Sequence, residues 1–478
     1  LGLAFYKLAG QGATWLIFIV VARILNPEDF GLMALAVVFI NLFNYVSEFG
    51  LSSALIQKKD LDELETHTSF WLLACFNLVM YALVFVLSYP VSSFYKAPQL
   101  THIIQVLGLN FLISSFRTIP MCLLTRRLDF VPQARAEFHS AILGSASICV
   151  LAALGFGVWS LVLGSLLQHL ASTAFLLYYH PWWPRLILRF RHIRAMLTFG
   201  MSVNASKMLT YLTDNSDNLI IGKVLGEKAL GLYNLAFILS TIPANKMGSL
   251  LYHILFPLFS RLQHDRPALH RYFLKANKYV ALVAFPSLIG LLLVSGDFVP
   301  LVLGPKWLPI VLPLRILCLV GILRFLTVTL SPLLYSAGKP RLVLRFSLFN
   351  GIVLPVAFYG STAFGIVGVA AAWAAIYPVG FLYLLRRALQ ELELPLSTYA
   401  AHLLHPAAAT LVLAGAVAGF QLFTSSVTYT QFIGSCIVGA AAYSATLFFI
   451  DKETVRELSG LVRSVRPFGL FKSIPIAH

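Results

Sequence analysis

The chain has 478 residues, 59% of them hydrophobic and only 11% charged, with a mean hydropathy of +0.82. Soluble domains carry about 25% charged residues, so this composition excludes the ordinary soluble class and makes a bilayer the natural solvent. The net charge of +16 would point to nucleic acid in a soluble protein; in a membrane protein its placement has to be asked first.

Crossing a ~30 Å hydrocarbon core takes about 20 apolar residues, and about fourteen such segments can be read along the chain. They are 3–22, 30–56, 67–88, 100–122, 137–154, 158–178, 197–221, 230–256, 279–294, 309–335, 342–361, 366–385, 406–424 and 430–450. Residues 1–180 hold the first six and form an N-terminal lobe. A linker at 181–196 carries Trp182, Trp183 and several arginines, a pattern expected of a helix lying along the membrane interface. Residues 197–390 hold six more spans, 400–450 hold an appended pair, and 451–478 form a basic tail. Pro243, Pro286, Pro313, Pro332, Pro355 and Pro378 fall within spans of the second half and are expected to kink them.

The second lobe echoes the first. A shift of 200 positions places Lys207 on Lys7, Lys223 on Arg23, Gly231-Leu232 on Gly31-Leu32 and Leu235-Ala236 on Leu35-Ala36, without a gap. Internal duplication of this kind is a transporter signature, with the substrate site between the copies.

The loops alternate in charge. One set carries Lys58-Lys59, Arg126-Arg127, Arg185, Arg261, Arg266, Arg271, Lys339, Arg341, Arg386-Arg387 and the C-terminal tail; the other carries only Arg23, Lys96, Lys223, Lys228 and Lys306. By the positive-inside rule the basic set and both termini are cytoplasmic. Most of the positive charge is then topology and contact with anionic lipid, with no need of nucleic acid.

A minority of the charges lie inside the spans: Lys7, Arg117, Lys207, Lys246, Arg315 and Arg324, with the acids Glu48, Asp214 and Asp217. A charge at a helix centre costs about 2.5–3.5 kcal/mol on insertion scales, and the default reading is a polar pathway inside the bundle. Lys7, Gln11 and Thr14 share one face of the first helix; Asn204, Lys207, Tyr211, Asp214 and Asn218 share one face of the seventh. A pseudo-two-fold arrangement would turn these stripes toward each other across a central cleft. Its cationic surplus suits an anionic, phosphate-bearing substrate. Asp214, Asp217 and Glu48 are candidates for neutralising those cations or for binding a coupling cation.

Cys75, Cys122, Cys149, Cys318 and Cys436 all sit in apolar runs without metal-ligand spacing and read as small buried apolar residues. Zinc-protease, phosphate-loop and dinucleotide-binding signatures are absent from the sequence. The expected cofactor list is empty apart from Na+ or H+ as coupling ion.

ARILNPEDFGLMALAVVFINLFNYVSEFGLSSALIQKKD (22–60), NLAFILSTIPANKMGSLLYHILFPLFSRLQHD (234–265) and FPSLIGLLLVSGDFVPLVLGPKWLPIVLPLRILCLVGILR (285–324) resemble the oligosaccharide flippases, and in particular the Wzx-type subgroup that includes colanic acid exporters. The resemblance covers about residues 1–390. It implies an all-α polytopic protein of about fourteen transmembrane helices: two repeat-related six-helix lobes in a V, plus two C-terminal helices. It implies a monomer in the bacterial inner membrane that flips undecaprenyl-pyrophosphate-linked repeat units by alternating access and hands them to a polymerase. It further implies that lysines and arginines among Lys7, Lys207, Lys246, Arg324, Arg315 and Arg117 hold the pyrophosphate and that Asp214 or Asp217 binds the cation. A multidrug exporter of the same superfamily would call for an acidic cavity. A membrane polymerase would call for large outer loops, which this chain lacks.

Overall fold

The computed structural model describes residues 2–47, 55–56, 62–127, 129–187, 208, 211–424, 428–452, 454, 456–457 and 460; the side chains of 2–9, 11, 13, 47, 245–247, 249–250 and 253 lie outside that description. All regular structure among these residues is helical. The first lobe comprises α1 (Gly2–Ile24), α2 (Pro27–Ser47), α3 (Glu63–Tyr95), α4 (Gln99–Arg126), α5 (Val131–Ala153) and α6 (Val158–Tyr179). The second comprises α7 (Ser216–Val224), α8 (Gly226–Leu262), α9 (Arg266–Phe298), α10 (Val311–Ser336), α11 (Pro340–Ser361) and α12 (Gly365–Glu391), and the appended pair is α13 (Leu396–Phe423) and α14 (Tyr429–Ile450).

Ten helical stretches among the described residues are long and apolar enough to cross a membrane, one of them holding both α11 and α12. Their outer faces present side chains such as Val86, Leu411 and Ile437 to the surroundings, as an apolar solvent allows. Cys75 and Cys436 sit on such faces, so the expectation that all five cysteines are buried fails for these two. In lipid, a small apolar side chain gains little by turning inward. Prolines 243, 286, 332, 355 and 378 lie inside continuous helices, whereas Pro313 falls in the first turn of α10, where its missing N–H costs nothing.

The linker departs from expectation. Residues 181–187 are not helical, because Pro181 and Pro184 disfavour the α conformation in the residues before them. The segment instead docks on α3. Trp182 stacks on His67 at 5.3 Å, the Arg185 N–H donates to His67 Nδ1 at 3.1 Å, and Trp71 Nε1 donates to the Arg185 carbonyl at 2.9 Å. The remainder of the linker, 188–196, lies outside the described residues. The appended pair packs on α9: Tyr443 donates to the Leu282 carbonyl at 2.9 Å, and Lys278 meets Asp451 at 2.6 Å.

The lobes meet at the end where lysine and arginine are scarce. Trp307, fully buried, donates to the Ala22 carbonyl at 2.9 Å and lies edge-on to Phe30 at 5.3 Å. Arg23 donates to the carbonyls of Leu301 and Val302, Lys306 returns a bond to the Arg23 carbonyl at 2.7 Å, and Lys223 donates to the Phe94 carbonyl. Lys228 pairs with Glu28 at 3.2 Å. Four of the five cations of the sparse loop set therefore tie one lobe to the other. One apolar core runs through both lobes here, whereas toward the basic end Leu55, Phe70, Leu73, Ile119 and Cys122 form a cluster of the first lobe alone.

The closest approach is between α2 and α8. A Cβ added at Gly31 would overlap the Glu227 carbonyl, and one added at Gly231 would overlap the Pro27 carbonyl. Both pairs are related by the same 200-residue shift, so the contact is symmetric about the duplication. Any side chain at either position must separate the helices. With cysteines at 28 and 228, the Gly231→Val variant is expected to show several-fold lower yield with a short bifunctional crosslinker than the Gly231 parent; an unchanged yield would refute this contact as the seal.

Candidate functional site

The polar residues of the seventh span do not share one face. Helix is described at 211–214, a turn falls at Asn215, and α7 resumes at Ser216. Tyr211 turns to the first lobe, donating to the Val38 carbonyl at 3.3 Å and lying 5.3 Å from the Tyr45 ring. Asp214 and Asn218 turn into their own lobe, so the stripe does not face a single central cleft as expected.

There Asp214 faces Arg324 of α10, with 3.8 Å between Oδ1 and Nη2. The Asp214 side chain is half-exposed and that of Arg324 mostly buried. The guanidinium lies 4.9 Å from the Trp373 ring and 5.1 Å from the Phe237 ring, which stabilises a desolvated cation by about 0.5–2 kcal/mol per ring. Its Nη1 is buried without a hydrogen-bond partner among the described residues.

Behind this pair Asp217 is wholly buried and accepts three hydrogen bonds: from the Tyr233 hydroxyl at 2.8 Å, Trp373 Nε1 at 3.1 Å and the Asn218 N–H at 2.7 Å. Trp373 Nε1 also reaches the Tyr233 oxygen at 2.9 Å. The two acids thus have different work. Asp217 organises the junction of α7, α8 and α12, whereas Asp214 borders open space.

That space is a cavity of about 460 Å³ inside the second lobe, enclosed by α8, α10, α11, α12 and the segment before α7. Asp214, Arg324 and Trp373 line its deep end, and Tyr252 and Tyr335 line it toward the basic ends of α8 and α10.

The other predicted residues fall elsewhere. Arg117 lies 3.7 Å from Glu137 on α5, within the first lobe. Arg315 donates to Ser295 Oγ at 3.0 Å, one turn from the sealed end. Neither lines this cavity. Glu48 and Lys207 lie outside the described residues, as do the side chains of Lys7 and Lys246, although the backbone of Lys246 sits on α8 between the cavity-lining Ala244 and Gly248. Trp373, Tyr233 and Asn350 were missed by sequence reasoning. Their signal was position: tryptophan and asparagine in the middle of a span, away from the interfacial belt where aromatic side chains collect.

Asp217→Ala leaves the Tyr233 hydroxyl without an acceptor and is expected to lower stability by about 1–3 kcal/mol, read as a lower melting temperature of the purified protein. Asp214→Ala should lower it much less, and equal effects would refute the division between the two acids.

Comparison with known proteins identifies the family. Residues 20–312 match the family described as "Polysaccharide biosynthesis protein". The chain is 30% identical over 357 residues to the lipopolysaccharide biosynthesis protein WzxC of Escherichia coli, covering 73% of this chain and 72% of that one. It is 28% identical over 431 residues to the teichuronic acid biosynthesis protein TuaB of Bacillus subtilis, covering 88% of each. Among solved structures it is similar to the lipid II flippase MurJ in an inward closed conformation, with a TM-score of 0.76 at 13% identity over 95% of this chain and 100% of that one. The chain therefore shares the fold of that solved protein, is a multi-pass membrane protein, and belongs to the polysaccharide biosynthesis protein family.

Proposed function

We propose that this protein flips isoprenoid-pyrophosphate-linked oligosaccharide repeat units across the bacterial inner membrane, for assembly of a surface polysaccharide. The observation that carries the reading is the pairing of a sealed interlobe end with a polar cavity that holds a desolvated arginine and lies toward the opposite end. A transporter closed on one side and accessible from the other has this asymmetry. Relatives named for lipopolysaccharide and teichuronic acid biosynthesis, and a fold shared with a lipid II flippase, support the same substrate class.

In this reading the basic loops and both termini are cytoplasmic, so the Gly31–Gly231 seal closes the periplasmic side. Arg324, with Lys7, Lys207 and Lys246, supplies the cations that receive the pyrophosphate. Moving a negative charge outward from a negative interior gains ~2.3 kcal/mol per charge per 100 mV, so the membrane potential favours export of the anionic headgroup. Opening the seal while the basic end closes would complete the exchange, and a polymerase would take the unit on the far side. Asp214, half-exposed beside Arg324, is the acid placed to exchange Na+ or H+ with the cavity; Asp217 is wholly buried, already accepts three hydrogen bonds and does not line the cavity.

Replacing Lys207, Lys246 or Arg324 with Ala should each abolish polysaccharide export in a flippase-null strain at normal membrane levels; full activity in all three would overturn the cationic site. Asp214→Asn should remove the Na+ or pH dependence of transport, and retention of that dependence would exclude it as the coupling acid. A cysteine at position 264 should resist membrane-impermeant maleimide in intact cells, and ready labelling there would invert the topology.

A further inference from the structure

The cavity has more chemistry than a pyrophosphate site needs. Its volume of about 460 Å³ falls within the ~300–1,000 Å³ of small-molecule sites. Beyond the Asp214–Arg324 pair, its described lining includes neutral hydrogen-bonding side chains: Thr327 and Ser331 on α10, Ser347 and Asn350 on α11. Asn350 is 5% exposed, and its Oδ1 is buried without a hydrogen-bond partner among the described residues. That oxygen packs inside against Gly380 of α12, so the nitrogen of the amide is the group left to donate to a ligand hydroxyl in the cavity. Toward the basic end the lining turns aromatic, with Tyr252 and Tyr335 40% and 39% exposed.

Tyrosine offers a flat apolar face beside a polar tip. A pyranose ring presents the complement: a C–H face that stacks on an aromatic ring and an equator of hydroxyls that both donate and accept. Hydroxyl, amide and carboxylate side chains meet both needs. A drug-like apolar cation would make no use of the hydroxyl and amide groups, and a bare pyrophosphate would not use the aromatic rim.

We propose that this cavity within the second lobe is the subsite for the first sugars of the lipid-linked glycan, with Tyr252 and Tyr335 stacking a pyranose ring and Asn350, Thr327 and Ser331 hydrogen-bonding its hydroxyls. The inference rests on the flippase reading and deepens it: the cations hold the pyrophosphate common to all such carriers, while this pocket reads which glycan is attached. Selectivity for cargo then resides in one lobe.

The test compares two lipids on the purified full-length protein in nanodiscs: undecaprenyl pyrophosphate alone, and the native lipid-linked repeat unit extracted from producing cells. The wild type is expected to bind the glycan-bearing lipid at least about tenfold more tightly, a difference of about 1.4 kcal/mol. Asn350→Leu and Tyr335→Ala, at the rim away from Arg324, should each erase that difference while leaving the dissociation constant of undecaprenyl pyrophosphate unchanged, which also reports that the variants are folded. Retention of the preference in both variants, or no preference in the wild type, overturns the glycan subsite and leaves the flippase reading intact. Failure of the wild type to bind either lipid overturns the flippase reading itself.

Discussion

The contact between α2 and α8 is the constraint on which the rest of the architecture depends. Two glycines, Gly31 and Gly231, let one helix press its backbone against a carbonyl of the other. In a membrane the hydrophobic effect does not drive helices together, so close packing of small residues and interhelical hydrogen bonds must do so. Both are concentrated here: glycine against backbone at the centre, and Arg23, Lys306 and Trp307 donating to carbonyls around it. Those donors cap backbone groups at helix ends and satisfy them without needing a partner acid. Such a seal is strong in aggregate and divisible into small steps, which suits the opening and closing that the proposed transport cycle calls for.

With the lobes joined at one end, a charge inside either lobe must be stabilised by that lobe alone or by ligand. Arg324 illustrates the first: one face to a carboxylate, two aromatic rings beside it, one nitrogen left over. Asp217 is the opposite case, an acid whose donors are all in place, so that it reads as framework. The contrast between a finished hydrogen-bond cluster and an unfinished one separates structural from functional polarity at membrane depth. It is also why we propose the cavity, rather than the junction behind it, as the place for substrate chemistry.

Much of this was legible in the linear chain. Apolar runs of membrane length predicted helices that the structure contains, and the 200-residue echo paired Gly31 with Gly231 before any contact was known. The sparse cations Arg23, Lys223, Lys228 and Lys306 were grouped by loop alternation, and they do lie together at one end. The local errors have local causes. Two prolines keep residues 181–187 out of a helix. Tyr211 and Asp214 lie three residues apart, about 60° around a helix, and that rotation is enough for one to reach Val38 of the first lobe and the other Arg324 of the second. Arg117 and Arg315 looked like cavity residues because position within a span records depth but not neighbours; Glu137 and Ser295 meet them first.

By itself, then, the sequence determined solvent, span positions, duplication and charge asymmetry, because each depends on composition and spacing along one chain and on the cost of leaving polar groups in lipid. Only the tertiary structure decided which charges share a space. Arg324 meets Asp214, Trp373 and Phe237 from three different segments, and the Oδ1 of Asn350 is left unpaired among the described residues by the packing around it. Those relations depend on helix rotation and lobe packing, where a turn of about 100° per residue moves a side chain from one neighbour to another without changing its depth.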